Sequence, residues 1–151
     1  MNNLYRVSEV KLTYETHIER EQKVKIMKSL DAYELMKNHW EQIEYRESFK
    51  IVLLNRANQV LGINTISLGG LTETTTDVRM ILQAALLSNA NAVVAVHNHP
   101  SGNLIPSNDD DLITSKIKKA LNLLDINLID HLIITKDGYY SYADEGKLKK
   151  Y

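Results

Sequence analysis

Apolar and polar residues alternate from Val10 through Tyr14 in VSEVKLTYET, which predicts a half-buried strand over Val7–Thr16 at a sheet edge. Beyond the charged HIEREQKVK segment, SLDAYELMKNHW reads as a short helix. Asp31 is its expected N-cap, Glu34 stands three residues on, and Leu35, Met36 and Trp40 supply the apolar face. SFKIVLLN and QVLGINTISLGG are dense apolar runs separated by NRAN, the pattern of a hairpin closed by a tight polar turn. In TDVRMILQAALLSNA, Val78, Ile81, Leu82, Ala85 and Leu86 recur at helical spacing behind Thr76 or Asp77 as cap. NAVVAVHNH is apolar on both faces, as expected of a central strand covered by helices on each side. Ser107 then opens a second amphipathic helix, expected to turn Leu112, Ile113, Ile117, Ala120, Leu121 and Leu124 inward. INLIDHLIIT and YYSYAD, parted by KDG, predict two closing strands.

Strands interleaved with helices predict an α/β (α+β) sandwich around a mixed sheet. At 151 residues the chain is expected to form one domain, 1–151, with EGKLKKY (145–151) as a candidate C-terminal tail. MNNLYRVSEV carries no charged leader followed by an apolar core, and no apolar run is long enough to span a bilayer, so a cytoplasmic protein is expected. Charge narrows the partners: 18 basic against 19 acidic residues give a net charge of −1, and nothing in that balance favours a polyanion. The absence of cysteine excludes disulfides and thiolate metal sites, so a transition metal would have to be held by nitrogen and oxygen.

Such donors stand together in VVAVHNHPSGNLIPSNDDDL. His97 and His99 are two residues apart at a strand end, so both imidazoles can point to the same side of the sheet. Pro100, Gly102 and Pro106 turn the chain, and the helix opened by Ser107 carries Asp109, Asp110 and Asp111 in its first turn, where one carboxylate can face back to the histidines. Two nitrogens, one oxygen and a water match an open, catalytic zinc site, in which the metal activates the water and a nearby carboxylate takes its proton. Each piece also has a plainer structural reading: polar capping of a sheet for the histidines, and an ordinary capping box and acidic helix start for S-x-x-D. Spacing alone does not choose among the three aspartates.

H-N-H-P-S-G-N-L-I-P-S-N-D-D resembles the JAMM (JAB/MPN+) metalloprotease motif, H-x-H followed after ten residues by D, in the form used by the RadC-like family. The resemblance extends over ESFKIVLLN, the SLGG turn, AALLSNANAVVAVHNHPSG and LIDHLIIT. It implies a JAB/MPN-type, cytidine-deaminase-like mixed sheet flanked by helices, with zinc on His97, His99 and Asp110. It further implies an early-strand glutamate as general acid/base. Among Glu41, Glu44, Glu47 and Glu73, Glu47 is the closest in placement, directly before SFKIVLLN. Ser107 matches the motif serine, implying oxyanion stabilisation, beside its plainer reading as an N-cap.

His131, inside LIDHLIIT, reads as a satisfied core histidine, or else as a supporting residue paired with Asp130. His17 and His39 read as surface, and Asn98 should point away from the histidines and tie the turn together. No H-E-x-x-H helix is present, and without cysteine a zinc-deaminase site cannot be built. The leading expectation is a zinc metallohydrolase, a peptidase or isopeptidase acting on a peptide or protein conjugate. The alternatives are a DNA-associated accessory protein of the RadC type and a non-catalytic MPN-type interaction domain. The segment before Glu47 shows no helix-hairpin-helix pattern, and the N-terminal alternation suits pairing with a second chain if its edge is exposed.

Overall fold

A computed structural model describes residues 6–69 and 76–150. Helix α1 (Ser29–Asn38) leads into the hairpin of β1 (Ser48–Leu54) and β2 (Val60–Leu68). Then follow α2 (Val78–Leu87), β3 (Ala92–Asn98), α3 (Asn108–Asn122), β4 (Asn127–Ile134) and β5 (Tyr139–Ser141). The five strands form one mixed sheet in the order β2-β1-β3-β4-β5, with only β3 and β4 parallel. Parallel neighbours need a crossover, and α3 supplies it. The expected mixed sheet flanked by helices is the architecture observed.

The hairpin turn follows from its residues. Asn55 Oδ1 accepts the backbone N–H groups of Ala57 and Gln59, each at 2.9 Å, and Asn58 adopts φ +58°, a conformation asparagine tolerates better than most residues. Strand β3 is buried along its whole length, as its continuous apolar run predicts. Val93 and Ala95 pack under α2 and α3 with Ile51, Ile81, Ile117, Leu121 and Ile133, while Val94 and Val96 face α1 with Val52, Met36 and Leu132. Each large aliphatic buried in this way contributes roughly 1.5–3 kcal/mol, so the strand that ends at the histidines is held from both faces.

Several expectations are corrected. Residues 7–16 form no strand: Val10 and Leu12 are 83% and 79% exposed, and the segment meets the sheet through the Tyr14 hydroxyl, which donates to the Leu61 carbonyl at 2.6 Å. Asp31 is not the N-cap of α1 but lies inside its first turn, where its carboxylate accepts the N–H groups of Met27 and Lys28. It thereby holds the N–H groups of the two residues that lead into the helix, as the carboxylate of a capping box does. Of the two caps expected for α2, Asp77 is the one used, accepting the N–H of Arg79. Leu86, Leu112 and Leu124 are exposed rather than inward, and the inner stripe of α3 runs through Asp110, Thr114, Ile117 and Leu121. Within the candidate tail, Leu148 is buried in the core.

One irregularity matters for the site. Opposite Val93 stands Leu128, but opposite Val94 stands Asp130, so β4 carries one extra residue at Ile129. This bulge reverses the facing of everything after it. His131, opposite Ala95, is thereby turned to the α3 side, the side on which β3 presents His97.

Candidate metal centre

His97 is the last α3-facing residue of β3, buried and stacked nearly parallel to Phe49 across the ladder, with ring centroids 5.9 Å apart. His99 lies one step beyond the strand, yet its N–H still bonds the Ile134 carbonyl at 3.0 Å, which keeps it in register on the same side. The turn after it is tight: Gly102 takes φ +82°, a region closed to most side chains, and its N–H bonds the His99 carbonyl. This brings the Asn103 carbonyl to 2.6 Å from His99 Nδ1. A carbonyl can only accept, so Nδ1 carries the proton and Nε2 presents a lone pair inward.

Ser107 ends the turn as the N-cap of α3, its Oγ accepting the Asp110 N–H at 3.1 Å. In return the Ser107 N–H donates to Asp110 Oδ2 at 2.7 Å. The capping box therefore also orients the carboxylate, because the reciprocal bond aims the other oxygen, Oδ1, to within 3.0 Å of His97 Nε2. His99 Nε2 lies 2.9 Å from His97 Nε2 and 3.6 Å from Asp110 Oδ2. The neighbouring aspartates are engaged elsewhere or exposed: Asp111 accepts the Tyr142 hydroxyl at 2.7 Å, and Asp109 points to solvent.

Glu47, half-buried at the start of β1, completes the group: its carboxylate and the two imidazoles offer ligand atoms all within 4.8 Å of one another. Asn98 accounts for its position. Facing away from the histidines as expected, Asn98 is wholly buried and ties down not their turn but the segment around Glu47. Its Oδ1 accepts the Ser48 N–H at 2.8 Å, and its Nδ2 donates to the carbonyls of Ile43 and Arg46 at 2.8 and 2.9 Å. The other glutamates are not brought in: Glu44 pairs with Lys136 at 3.5 Å, Glu41 is exposed, and Glu73 lies outside the described residues. His17 and His39 are on the surface, as expected.

His131 is wholly buried behind His97. Its Nε2 lies 2.8 Å from His97 Nδ1 and its Nδ1 2.5 Å from Thr114 Oγ1. Asp130 is not its side-chain partner; that carboxylate accepts the backbone N–H of His131 and turns to Ser141 and Ala143. Neither the His97–His131 contact nor the part played by Thr114 was legible in the sequence, where a histidine flanked by Asp130 and Leu132 carries no sign of a bulge.

The electrostatics fit a cation. Burial alone would raise the Asp110 carboxyl, but the adjoining imidazoles of His97 and His99 and the Ser107 N–H hold it well below the usual carboxylate range. Burial works against a charge on His99, yet the neighbouring Asp110 carboxylate, the bond to the Asn103 carbonyl and the field of Glu47 raise its pKa. Lone pairs and carboxylates converging at such distances repel unless a positive charge lies among them. The all nitrogen and oxygen donor set is one that could hold a metal ion.

The described residues contain no helix long and apolar enough to cross a membrane. Residues 26–147 match the family model described as the RadC-like JAB domain. A UPF0758 protein of Flavobacterium johnsoniae is 42% identical over 122 residues, covering 81% of this chain and 53% of that protein. A UPF0758 protein of Thermotoga maritima is 35% identical over 126 residues (82% of this chain, 57% of the relative), and UPF0758 protein YeeS of Escherichia coli is 42% identical over 103 residues (68% and 70%). The chain thus spans about half the length of most of the curated relatives it matches, at 53%, 46% and 59% of the first three. Since the family match runs from before α1 to beyond β5 and takes in every residue gathered at the end of β3, the chain belongs to the RadC-like JAB domain family.

Proposed function

We propose that this chain is a zinc-dependent hydrolase of amide bonds, a peptidase or isopeptidase. The convergence of His97 Nε2, His99 Nε2 and the Asp110 carboxylate beside Glu47 carries this reading. Glu47 and Asp110 both lie near the histidine pair, and their surroundings suit different roles. Asp110 is buried and fixed by its cap, which suits a ligand; Glu47 is half-buried at the rim, which suits a group that must meet water and substrate.

His97, His99 and Asp110 would hold the metal. When bound, zinc supplies a Lewis acid that polarises a carbonyl and lowers the pKa of a water to about 7. Glu47 takes a proton from the attacking water as its oxygen bonds the carbonyl carbon, and delivers that proton to the nitrogen as the C–N bond breaks. Ser107 Oγ is the acceptor in its cap bond, so its O–H remains a donor for the oxygen that gains charge during attack. The substrate is a peptide or a protein conjugate.

The test is metal content with matched variants. Purified protein should carry one zinc, His97→Ala and Asp110→Ala should each lose it, and Glu47→Gln should keep it while losing hydrolysis by at least about a hundredfold. A Glu47→Gln variant as active as the parent removes Glu47 from this role, and a metal-free parent protein removes the hydrolase reading.

A further inference from the structure

The hydrogen bonds behind His97 have only one consistent direction. Thr114 Oγ1 donates to the backbone carbonyl of Asp110 at 2.5 Å, which uses its one hydrogen. It can therefore only accept from His131, whose Nδ1 lies 2.5 Å away and must carry the proton. His131 is wholly buried and, among the described residues, its ring nitrogens meet Thr114 Oγ1 and His97 Nδ1 and no carboxylate, so the ring is neutral and its Nε2 is an acceptor. His97 Nδ1, 2.8 Å from that nitrogen, must then be the donor. One proton remains for one ring, and it is on the side away from the site.

We infer that His131 and Thr114 form a fixed relay which locks His97 with its proton on Nδ1 and its Nε2 bare toward His99 and Asp110. The relay closes on itself. It begins at the Asp110 carbonyl, passes through α3, β4 and β3, and returns at His97 Nε2, which faces the carboxylate of the same Asp110. His131 and Thr114 are positioning residues that act on the site through His97. Their rings and turns are themselves held: His131 stacks at 11° on Tyr142, with centroids 5.0 Å apart, and at 5.5 Å from Phe49. His99 obtains the same tautomer from a backbone carbonyl; His97 has no such carbonyl and depends on a side chain delivered by the β4 bulge.

This inference uses the metal reading only for its consequence, and the two are separable by experiment. Long-range proton–nitrogen NMR on zinc-free protein, above the imidazole titration range, should show the proton on Nδ1 for both His97 and His131. A proton on His97 Nε2 overturns the relay, whatever the zinc content. In a His131→Phe variant, which keeps a flat ring between Phe49 and Tyr142, His97 should shift toward the Nε2–H form. Zinc titration should then show a 10- to 100-fold weaker affinity, roughly the effect of losing a group that orients a ligand. Thr114→Val should follow His131→Phe, whereas Thr114→Ser, which keeps the hydroxyl, should restore the tautomer and the affinity. Unchanged tautomer and affinity in both His131→Phe and Thr114→Val, with folded spectra, overturns the proposal. A protein with the expected tautomers that takes up no zinc would support the relay and defeat the zinc hydrolase instead.

Discussion

Among single residues, Asn98 bears the widest responsibility. It stands between two candidate ligands, yet all three of its side-chain bonds reach across the sheet to the segment carrying Glu47. One side of the residue belongs to the histidine strand and the other fixes the Glu47 segment, so their separation is set by one buried amide. Asn98→Ala would leave the Ser48 N–H and the carbonyls of Ile43 and Arg46 without their partner. Leaving buried polar groups unpaired costs about 1–3 kcal/mol each, softened where water can enter, so a loss of roughly 2–4 kcal/mol in urea unfolding is expected. Amide exchange at Ser48 should accelerate more than exchange at Val94 or Val96 in the strand itself, while zinc content stays at the parent level. Uniform acceleration across β3 would instead mean that Asn98 supports the sheet and not the Glu47 segment.

At the scale of elements, the bulge in β4 has a second consequence. By placing Asp130 opposite Val94 it buries a carboxylate on the α1 side, where it accepts Ser141 Oγ–H at 2.7 Å and the Ala143 N–H at 3.0 Å and so shapes the turn out of β5. Burial raises its pKa from 3.8 to about 6, against the pull of those hydrogen bonds. A raised carboxyl pKa means the folded protein holds a proton that the unfolded chain has already lost. Its contribution is complete below pH 3.8 and disappears as pH rises through about 6, a span worth at most roughly 3 kcal/mol. Asp130→Asn keeps one accepting oxygen for the backbone donors and should flatten the stability profile across that window; urea midpoints measured from pH 4 to 7 check it, and an unchanged slope would assign the dependence elsewhere. The same strand shows where reading from sequence stops. The hairpin, β3, the two long helices and the capping role of Ser107 were legible because period and turn chemistry are local properties. Asp110 was singled out by motif spacing; that its reciprocal bond with Ser107 turns its carboxylate toward His97 shows only in the structure. The facing of His131 depends on one unpaired residue, Ile129, which no alternation reveals. Val7–Thr16 failed for the opposite reason: its alternation is real, but a strand also needs a neighbouring edge with which to pair, and that is not written in the segment.

For the molecule as a whole, the site is a junction. Its residues come from the start of β1, the end of β3 and the first turn of α3, and the relay adds β4, so four elements meet there. A metal there would bind the folded arrangement and not the unfolded chain, and it would therefore stabilise the whole domain by mass action. At free zinc about a hundredfold above the dissociation constant the gain is about 2.7 kcal/mol. For a domain of this size each kcal/mol moves the melting temperature by roughly 2–4 °C, so zinc-loaded protein should melt roughly 5–10 °C above its chelated form. Glu47→Gln should show the full shift and Asp110→Ala none, each compared with its own chelated state so that any loss of intrinsic stability cancels. His131→Phe should fall between them at fixed zinc, because a 10- to 100-fold weaker site at the same concentration forfeits about 1.3–2.3 kcal/mol of that gain. Scanning calorimetry resolves all four cases. If the parent protein melts at one temperature with and without zinc, the junction is held by hydrogen bonds alone, and the converging lone pairs of His97 and His99 must be shared by a proton instead of a metal.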